Sequence, residues 1–162
     1  MTSDDIGANA ITQTVTITGT RDVGHRPVRD YAAVFGQFVR PFAPPSATFH
    51  VGGAVGIDSL ALLWLAEETG ARIVVVVPAS LGDQPDEARR AVAAAERLGR
   101  LDELVELGLE TRTAGYHSRN RWMVDRSSFV IGFPLSGTEA GGTGYTLEYA
   151  KRLHKPRLIV PV

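Results

Sequence analysis

The feature that most constrains the fold is a run of β-branched apolar residues, Ile73 through Val77, directly after Arg72. Residues of this kind favour a β-strand. The run is apolar at every position and lacks the alternation of a strand with one solvated face, so both of its faces must be buried. Burial on both faces is typical of a parallel sheet that helices cover on each side.

Strand-like and helix-like segments alternate along the rest of the chain. Apolar runs predict further strands over 15–18, 48–51, 129–133 and 157–160. Helical spacing of apolar residues predicts helices over 28–42, 56–69, 86–98, 116–126 and 141–153. Residues 103–107 are either a short strand or the end of the preceding helix. The alternation predicts an α/β fold with a largely parallel sheet.

The composition is that of an ordinary globular chain of 162 residues, which predicts one domain. The polar residues 1–13 are interpreted as a flexible N-terminal arm, and 14–162 as the domain. The net charge of -1 argues against a nonspecific nucleic-acid coat or a polybasic membrane anchor. No signal peptide and no apolar run of the ~20 residues needed for a membrane span is visible, so we expect a cytoplasmic protein.

The sequence predicts neither a metal site nor a cofactor. The absence of cysteine excludes disulfides, thiolate catalysis and iron–sulfur clusters. The four histidines have no i,i+3 or i,i+4 pairing of the kind that supports a metal site on a helix.

Three glycine-rich turns follow predicted strands, at 19–22, 52–59 and 136–145. In a parallel sheet, ligands bind beyond the carboxyl ends of the strands, where such turns lie. Glycine allows close approach of the backbone, and a helix N-terminus offers N–H donors that favour a phosphate. Glycine is also common in α/β turns, so any single turn has a purely structural interpretation. Three turns expected at one sheet edge favour a ligand site.

Short motifs in these turns resemble those of a known superfamily. Residues 52–58 read Gly-Gly-Ala-Val-Gly-Ile-Asp and resemble the GGA-x-GID turn of the SLOG superfamily, which includes DprA (Smf), the YspA-like proteins and the Lonely Guy (LOG) phosphoribohydrolases. Residues 19–21 resemble its GSR motif, and 119–123 with 141–144 resemble its later motifs. The resemblance covers about residues 15–160. It implies a single Rossmann-like, three-layer α/β/α domain that binds nucleotides, nucleotide-derived ligands or nucleic acid at these loops.

The resemblance also implies individual site residues. LOG enzymes cleave the N-glycosidic bond of a nucleoside monophosphate, and Arg119 and Glu148 fall on the arginine and glutamate of their motif. Glu148 would stabilise an oxocarbenium-like sugar, and Arg119 would hold the phosphate or the base. Trp122 and Tyr145 adjoin these segments and are candidates to stack on a base, with core packing as the alternative for Trp122. The predicted ligand-binding residues are Gly19, Thr20, Arg21, Gly52, Gly53, Gly56, Asp58, Arg121, Gly141, Gly142, Thr143 and Gly144.

Two classes of function remain open at this point. The first is a small-molecule site for a nucleotide, with or without LOG-like hydrolysis. The second is a non-catalytic module, either a ligand sensor or a DprA-like binder of single-stranded DNA. DNA binding needs a basic groove, to which Arg21, Arg119, Arg121 and Arg126 are the evident contributors, and the nearly neutral net charge ranks it second. By analogy with SLOG domains we expect a homo-oligomer and no membrane partner.

Each charged candidate also has a purely structural interpretation. Glu148 is then a solvated helix carboxylate, and Asp58 is a charge that complements a helix N-terminus. Arg119 and Arg121 are then surface residues in ion pairs.

Overall fold

The computed structural model describes residues 13–138 and 141–162, and within them six parallel strands form one sheet. The strands run across the sheet in the order β4-β3-β2-β1-β5-β6, and every neighbouring pair is parallel. They are β1 (Thr14–Gly19), β2 (Thr48–Gly52), β3 (Arg72–Val77), β4 (Glu103–Glu106), β5 (Phe129–Phe133) and β6 (Arg157–Ile159).

Among the described residues, five helices cover the two faces of the sheet. They are α1 (Val28–Phe38), α2 (Ile57–Glu68), α3 (Asp86–Arg97), α4 (Thr113–Asp125) and α5 (Gly142–Arg152). The strand β3 shows the two-sided burial most clearly. Its odd-numbered residues, from Ile73 to Val77, join the main core with α1, α2 and α3, whereas Val74 and Val76 pack with Met123 of α4. The predicted three-layer α/β/α domain with a largely parallel sheet is confirmed.

The element boundaries differ from the prediction by more than one residue, or settle an open alternative, at three places. The first helix ends at Phe38 and continues as a short 3-10 turn, Arg40–Phe42, because Pro41 has no N–H for a helical hydrogen bond. The ambiguous segment at 103–107 is the strand β4, which pairs with β3. The helix α4 begins three residues before its predicted start, at Thr113.

The predicted N-terminal arm lies outside the described residues except for Gln13. The carbonyl of Gln13 accepts a hydrogen bond from the N–H of Thr48, at 2.9 Å, so Gln13 already runs alongside β2. Within the described part of the chain, no helix is both long and apolar enough to cross a membrane.

The direction of the strand order reverses beside β1. From β1 to β4 each crossover moves one strand outward, and the connection through α4 then returns the chain to the other side of β1. A buried hydrogen bond of 2.6 Å joins the hydroxyl of Thr16 in β1 to that of Ser127, which lies between α4 and β5 and is 111 residues away along the chain. In open α/β sheets, ligands bind at the point where the strand order reverses.

Candidate functional site

A cavity of about 700 Å³ lies beyond the carboxyl ends of the central strands. Its volume is within the range of small-molecule sites. The cavity is bounded by the loop after β1, the start of α2, one side of α4 and the start of α5. The lining residues of those elements that carry the argument are Thr20, Arg21, Asp58, Arg119, Asn120 and Thr143.

Eight of the predicted site residues line this cavity, and six do not. Those that line it come from all three glycine-rich turns and from α4: Gly19, Thr20, Arg21, Asp58, Arg119, Gly141, Gly142 and Thr143. Those that do not line it are Gly52, Gly53, Gly56, Arg121, Gly144 and Glu148.

Gly52 provides space for two buried charged groups rather than a wall of the cavity. A Cβ at Gly52 would lie 2.6 Å from Oδ2 of Asp58 and 2.7 Å from Nη1 of Arg119. Gly52 has no positive φ, so space and not conformation requires glycine at this position. The side chain of Asp58 comes from α2 and that of Arg119 from α4, so helices from opposite faces meet around the end of β2.

Asp58 and Arg119 are both almost completely buried, at 7% and 3% exposure. Burial raises the pKa of Asp58 to about 7, and the charge of Arg119 and a backbone hydrogen bond from Ala54 oppose that rise. Burial likewise lowers the pKa of Arg119, which the charge of Asp58 opposes. The structural interpretation of Arg119 as a surface residue is therefore wrong.

The guanidinium of Arg119 is held by neutral acceptors. Its Nε donates to Oδ1 of Asn120 at 2.7 Å, and its Nη1 donates to the carbonyl of Val76 at 3.3 Å. Because Oδ1 of Asn120 is occupied, the NH₂ group of that amide remains as a donor at the cavity.

The N-termini of α2 and α5 both open onto the cavity but differ in charge. The first turn of α2 carries Asp58, and the N–H of Ile57 already donates to the carbonyl of Thr20 at 3.0 Å. The first turn of α5 carries no acidic residue and no side-chain cap. Thr143 in that turn is 9% exposed and lines the cavity. The start of α5 is therefore suited to an anion, and the start of α2 is not.

Aromatic side chains form the rim of the cavity. The guanidinium of Arg21 lies 4.7 Å from the ring centroid of Tyr116. The rings of His117 and Tyr145 are stacked, with centroids 3.7 Å apart and an angle of 6° between the rings. Arg121 lies outside the cavity and donates to the hydroxyl of Tyr145 at 2.7 Å, so it acts on the rim through that ring.

Trp122 does not line the cavity. Its ring packs against His50, with centroids 5.7 Å apart, and under the guanidinium of Arg126 at 4.0 Å. Of the two predicted stacking residues, Tyr145 is at the cavity and Trp122 belongs to the packing of α4 on the sheet.

The remaining predicted residues outside the cavity have local roles. A Cβ on Gly53 would meet Cγ1 of Val77 at 2.5 Å, so Gly53 is needed for close packing of β2 on β3. Gly56 has a φ of +79° and lies against the backbone of Thr20, as the turn into α2 requires. Glu148 is exposed on α5.

The prediction from sequence did not identify Thr113, Tyr116, His117 and Asn120 as cavity residues. Their spacing of i, i+3, i+4 and i+7 places them on one side of α4, and that polar stripe was the available signal. Within residues 13–138 and 141–162 no group of three or more His, Cys, Asp or Glu side chains is arranged to hold a metal ion.

Two solved structures of DNA processing protein A (DprA) share this fold. The Helicobacter pylori protein, described for its single-stranded DNA binding mode, aligns with a TM-score of 0.68 and 22% identity, over 93% of this chain and 66% of that one. The Streptococcus pneumoniae protein aligns with a TM-score of 0.66 and 18% identity, over 93% of this chain and 50% of that one. This chain thus spans only part of each DprA. No protein-family model and no curated protein matches the chain. The Rossmann-like fold implied by the SLOG resemblance is confirmed.

Replacing Gly52 with alanine should destabilise the fold, because the methyl group would overlap the Asp58 carboxyl and the Arg119 guanidinium. We expect a loss of about 1–3 kcal/mol in the free energy of unfolding, measured by urea denaturation. Gly36→Ala in α1 is the matched control, since a Cβ there has no neighbour within 4 Å. That control should gain roughly 0.5–1 kcal/mol from its higher helix propensity. Equal stability of Gly52→Ala and wild type would show that the two charged groups do not depend on this glycine.

The stability conferred by Asp58 should fall as the pH rises toward 7. Its pKa is about 7 in the folded chain, above its ordinary value of 3.8, so the folded state binds the proton more tightly than the unfolded state does. The free energy of unfolding of wild type minus that of Asp58→Asn should therefore decrease between pH 5 and pH 8. Denaturant unfolding across that range measures it, with the exposed Glu87→Gln of α3 as a matched carboxylate-to-amide control. A constant difference for Asp58→Asn would contradict the raised pKa.

Proposed function

We propose that this chain binds a nucleotide or a nucleotide-derived small molecule in the cavity, with the phosphate at the N-terminus of α5. The observation that carries the proposal is the uncapped, acid-free start of α5, which opens with the buried Thr143 onto a cavity of about 700 Å³. Backbone N–H groups, a threonine hydroxyl and the helix dipole together favour a phosphate.

Further cavity residues support a ligand that is more than a phosphate. Thr20 and Arg21 follow β1, between the strands that lead into α2 and α5, and both line the cavity. The rings of Tyr116, His117 and Tyr145 give the rim flat apolar surfaces beside polar groups. Apolar walls with a small number of convergent polar groups are typical of sites for nucleotide-sized ligands.

The proposal is tested with a panel of nucleoside 5′-monophosphates and the matching nucleosides, by thermal shift and calorimetry. A monophosphate at 100 times its Kd should stabilise the chain by about 2.7 kcal/mol. Thr143→Val should weaken monophosphate binding about 10-fold, because it removes one hydrogen bond to a charged group, and should leave nucleoside binding unchanged.

Thr111→Val is the matched control, since Thr111 is exposed and does not line the cavity. If no monophosphate stabilises the wild-type chain, the proposed function is wrong. If Thr143→Val weakens the binding of nucleosides as much as that of monophosphates, the phosphate lies elsewhere in the cavity.

We keep LOG-like hydrolysis of the N-glycosidic bond as a narrower proposal. Arg119 lines the cavity, whereas Glu148 is exposed and does not line it, so this pair does not share one surface. The same monophosphates are assayed for released base. Release that falls by at least ~10²-fold in Glu148→Gln supports hydrolysis, and wild-type binding without release leaves a binding module.

Single-stranded DNA is the second candidate ligand, favoured by the fold shared with the DprA of Helicobacter pylori. An exposed arginine next to an aromatic ring, as in Arg21 over Tyr116, is suited to a nucleic-acid strand. The test measures binding of a labelled single-stranded oligonucleotide at physiological salt. Submicromolar affinity that is lost in the double variant Arg21→Ala with Arg121→Ala would rank DNA first. A homo-oligomer remains our expectation by analogy with SLOG domains.

A further inference from the structure

The end of the cavity opposite α5 has a chemistry that phosphate binding does not use. Asp58, Arg119 and Asn120 line that end, and each is more than nine-tenths buried. A buried carboxyl beside a buried guanidinium and an amide is an expensive arrangement that a simple phosphate site does not need. The inference below rests on the proposed nucleotide binding and concerns which base occupies this end.

Charge fixes the orientation of a nucleotide in the cavity. A phosphate at the start of α2 would face the Asp58 carboxyl, whereas a phosphate at the start of α5 meets no acidic side chain of that turn. The base must then point toward Asp58. The starts of the two helices follow β2 and β5, which flank β1, so they are two strand spacings or about 10 Å apart. A nucleoside monophosphate is long enough to bridge that span, with its sugar over the end of β1.

The three side chains present acceptors next to donors. The Asp58 carboxylate offers two acceptor oxygens, and the Asn120 NH₂ group and the Arg119 guanidinium offer donors. Guanine has the complementary edge, with N1–H and N2–H donors next to the O6 acceptor. Adenine has a donor at N6 beside an acceptor at N1, so it would leave a carboxylate oxygen facing a lone pair.

We propose that the cavity selects a guanine nucleotide, with Asp58 accepting from N1–H and N2–H and with Asn120 and Arg119 donating to O6. The cations that face Asp58 are Arg119 of α4 and Arg21 of the loop after β1, and both favour the carboxylate form that this pairing needs. Two N–H donors from the base favour the same form. Asp58 is therefore a specificity-determining residue.

The test compares GMP, IMP, AMP and XMP by calorimetry on wild type and on Asp58→Asn. Wild type should bind GMP most tightly. It should bind IMP, which lacks only the 2-amino group, about 10-fold more weakly, and AMP about 10- to 100-fold more weakly. In Asp58→Asn the amide accepts from N1–H and donates to O2, which matches xanthine. The variant should therefore lose GMP affinity about 10- to 100-fold and bind XMP more tightly than wild type does.

The possible outcomes separate this inference from the proposed function. If wild type binds AMP or IMP as tightly as GMP, guanine selection is overturned and nucleotide binding is not. That comparison needs no variant. The Asp58→Asn variant gives a second outcome. If it keeps a cooperative thermal transition and loses affinity for GMP without gaining affinity for XMP, Asp58 has a structural role, and the inference is overturned. Wild type that binds none of the four overturns guanine selection, and it overturns the proposed function as well if the pyrimidine nucleoside monophosphates also fail to bind.

Discussion

Asp58 and Arg119 must share the small space over Gly52, and the arrangement of the cavity depends on that constraint. The two residues reach this point from helices on opposite faces of the sheet, around the carboxyl end of β2. Both side chains are almost completely buried, so each charge compensates part of the burial cost of the other. A side chain on residue 52 would separate them and remove the polar end of the cavity.

The two helix starts at the cavity show how one residue can change the use of a repeated structural unit. Both α2 and α5 follow a glycine-rich turn after a parallel strand, and both present an N-terminal dipole. In α2 the dipole is matched by Asp58, and in α5 it is not matched by any side chain of the first turn. The two helix starts at the cavity therefore differ in charge, with a carboxyl group at the start of α2 and an uncompensated positive dipole end at the start of α5.

The sequence predicts the layers well because strand and helix periodicity depend on local patterns. The run Ile73–Val77 is the clearest case, since its two-sided burial follows from its composition alone. The three glycine-rich turns also lie at the predicted edge. The sequence does not predict which glycines contact ligand space, because Gly52 and Gly53 are required by neighbours 6 to 67 residues away along the chain, namely Asp58, Val77 and Arg119.

The least predictable part of the site is α4. An arginine on a helix is ordinarily solvated, and the burial of Arg119 follows only from how α4 crosses the sheet. Tyr116 and His117 come to the rim for the same reason. Glu148 fits a motif by spacing, and its exposure depends on how α5 packs on β5 and β1.

The return of the chain through α4 also determines when the cavity can exist. The strands β1 and β5 are neighbours although the hydroxyls that join Thr16 to Ser127 are 111 residues apart. Bringing together residues so far apart in sequence costs loop-closure entropy, so we expect these contacts to form late in folding. A nascent chain that ends before α4 contains β1 to β4 and Asp58, but neither Arg119 nor the start of α5. A ligand that needs both ends of the cavity would therefore bind the finished chain and not the incomplete one, and would stabilise only the former.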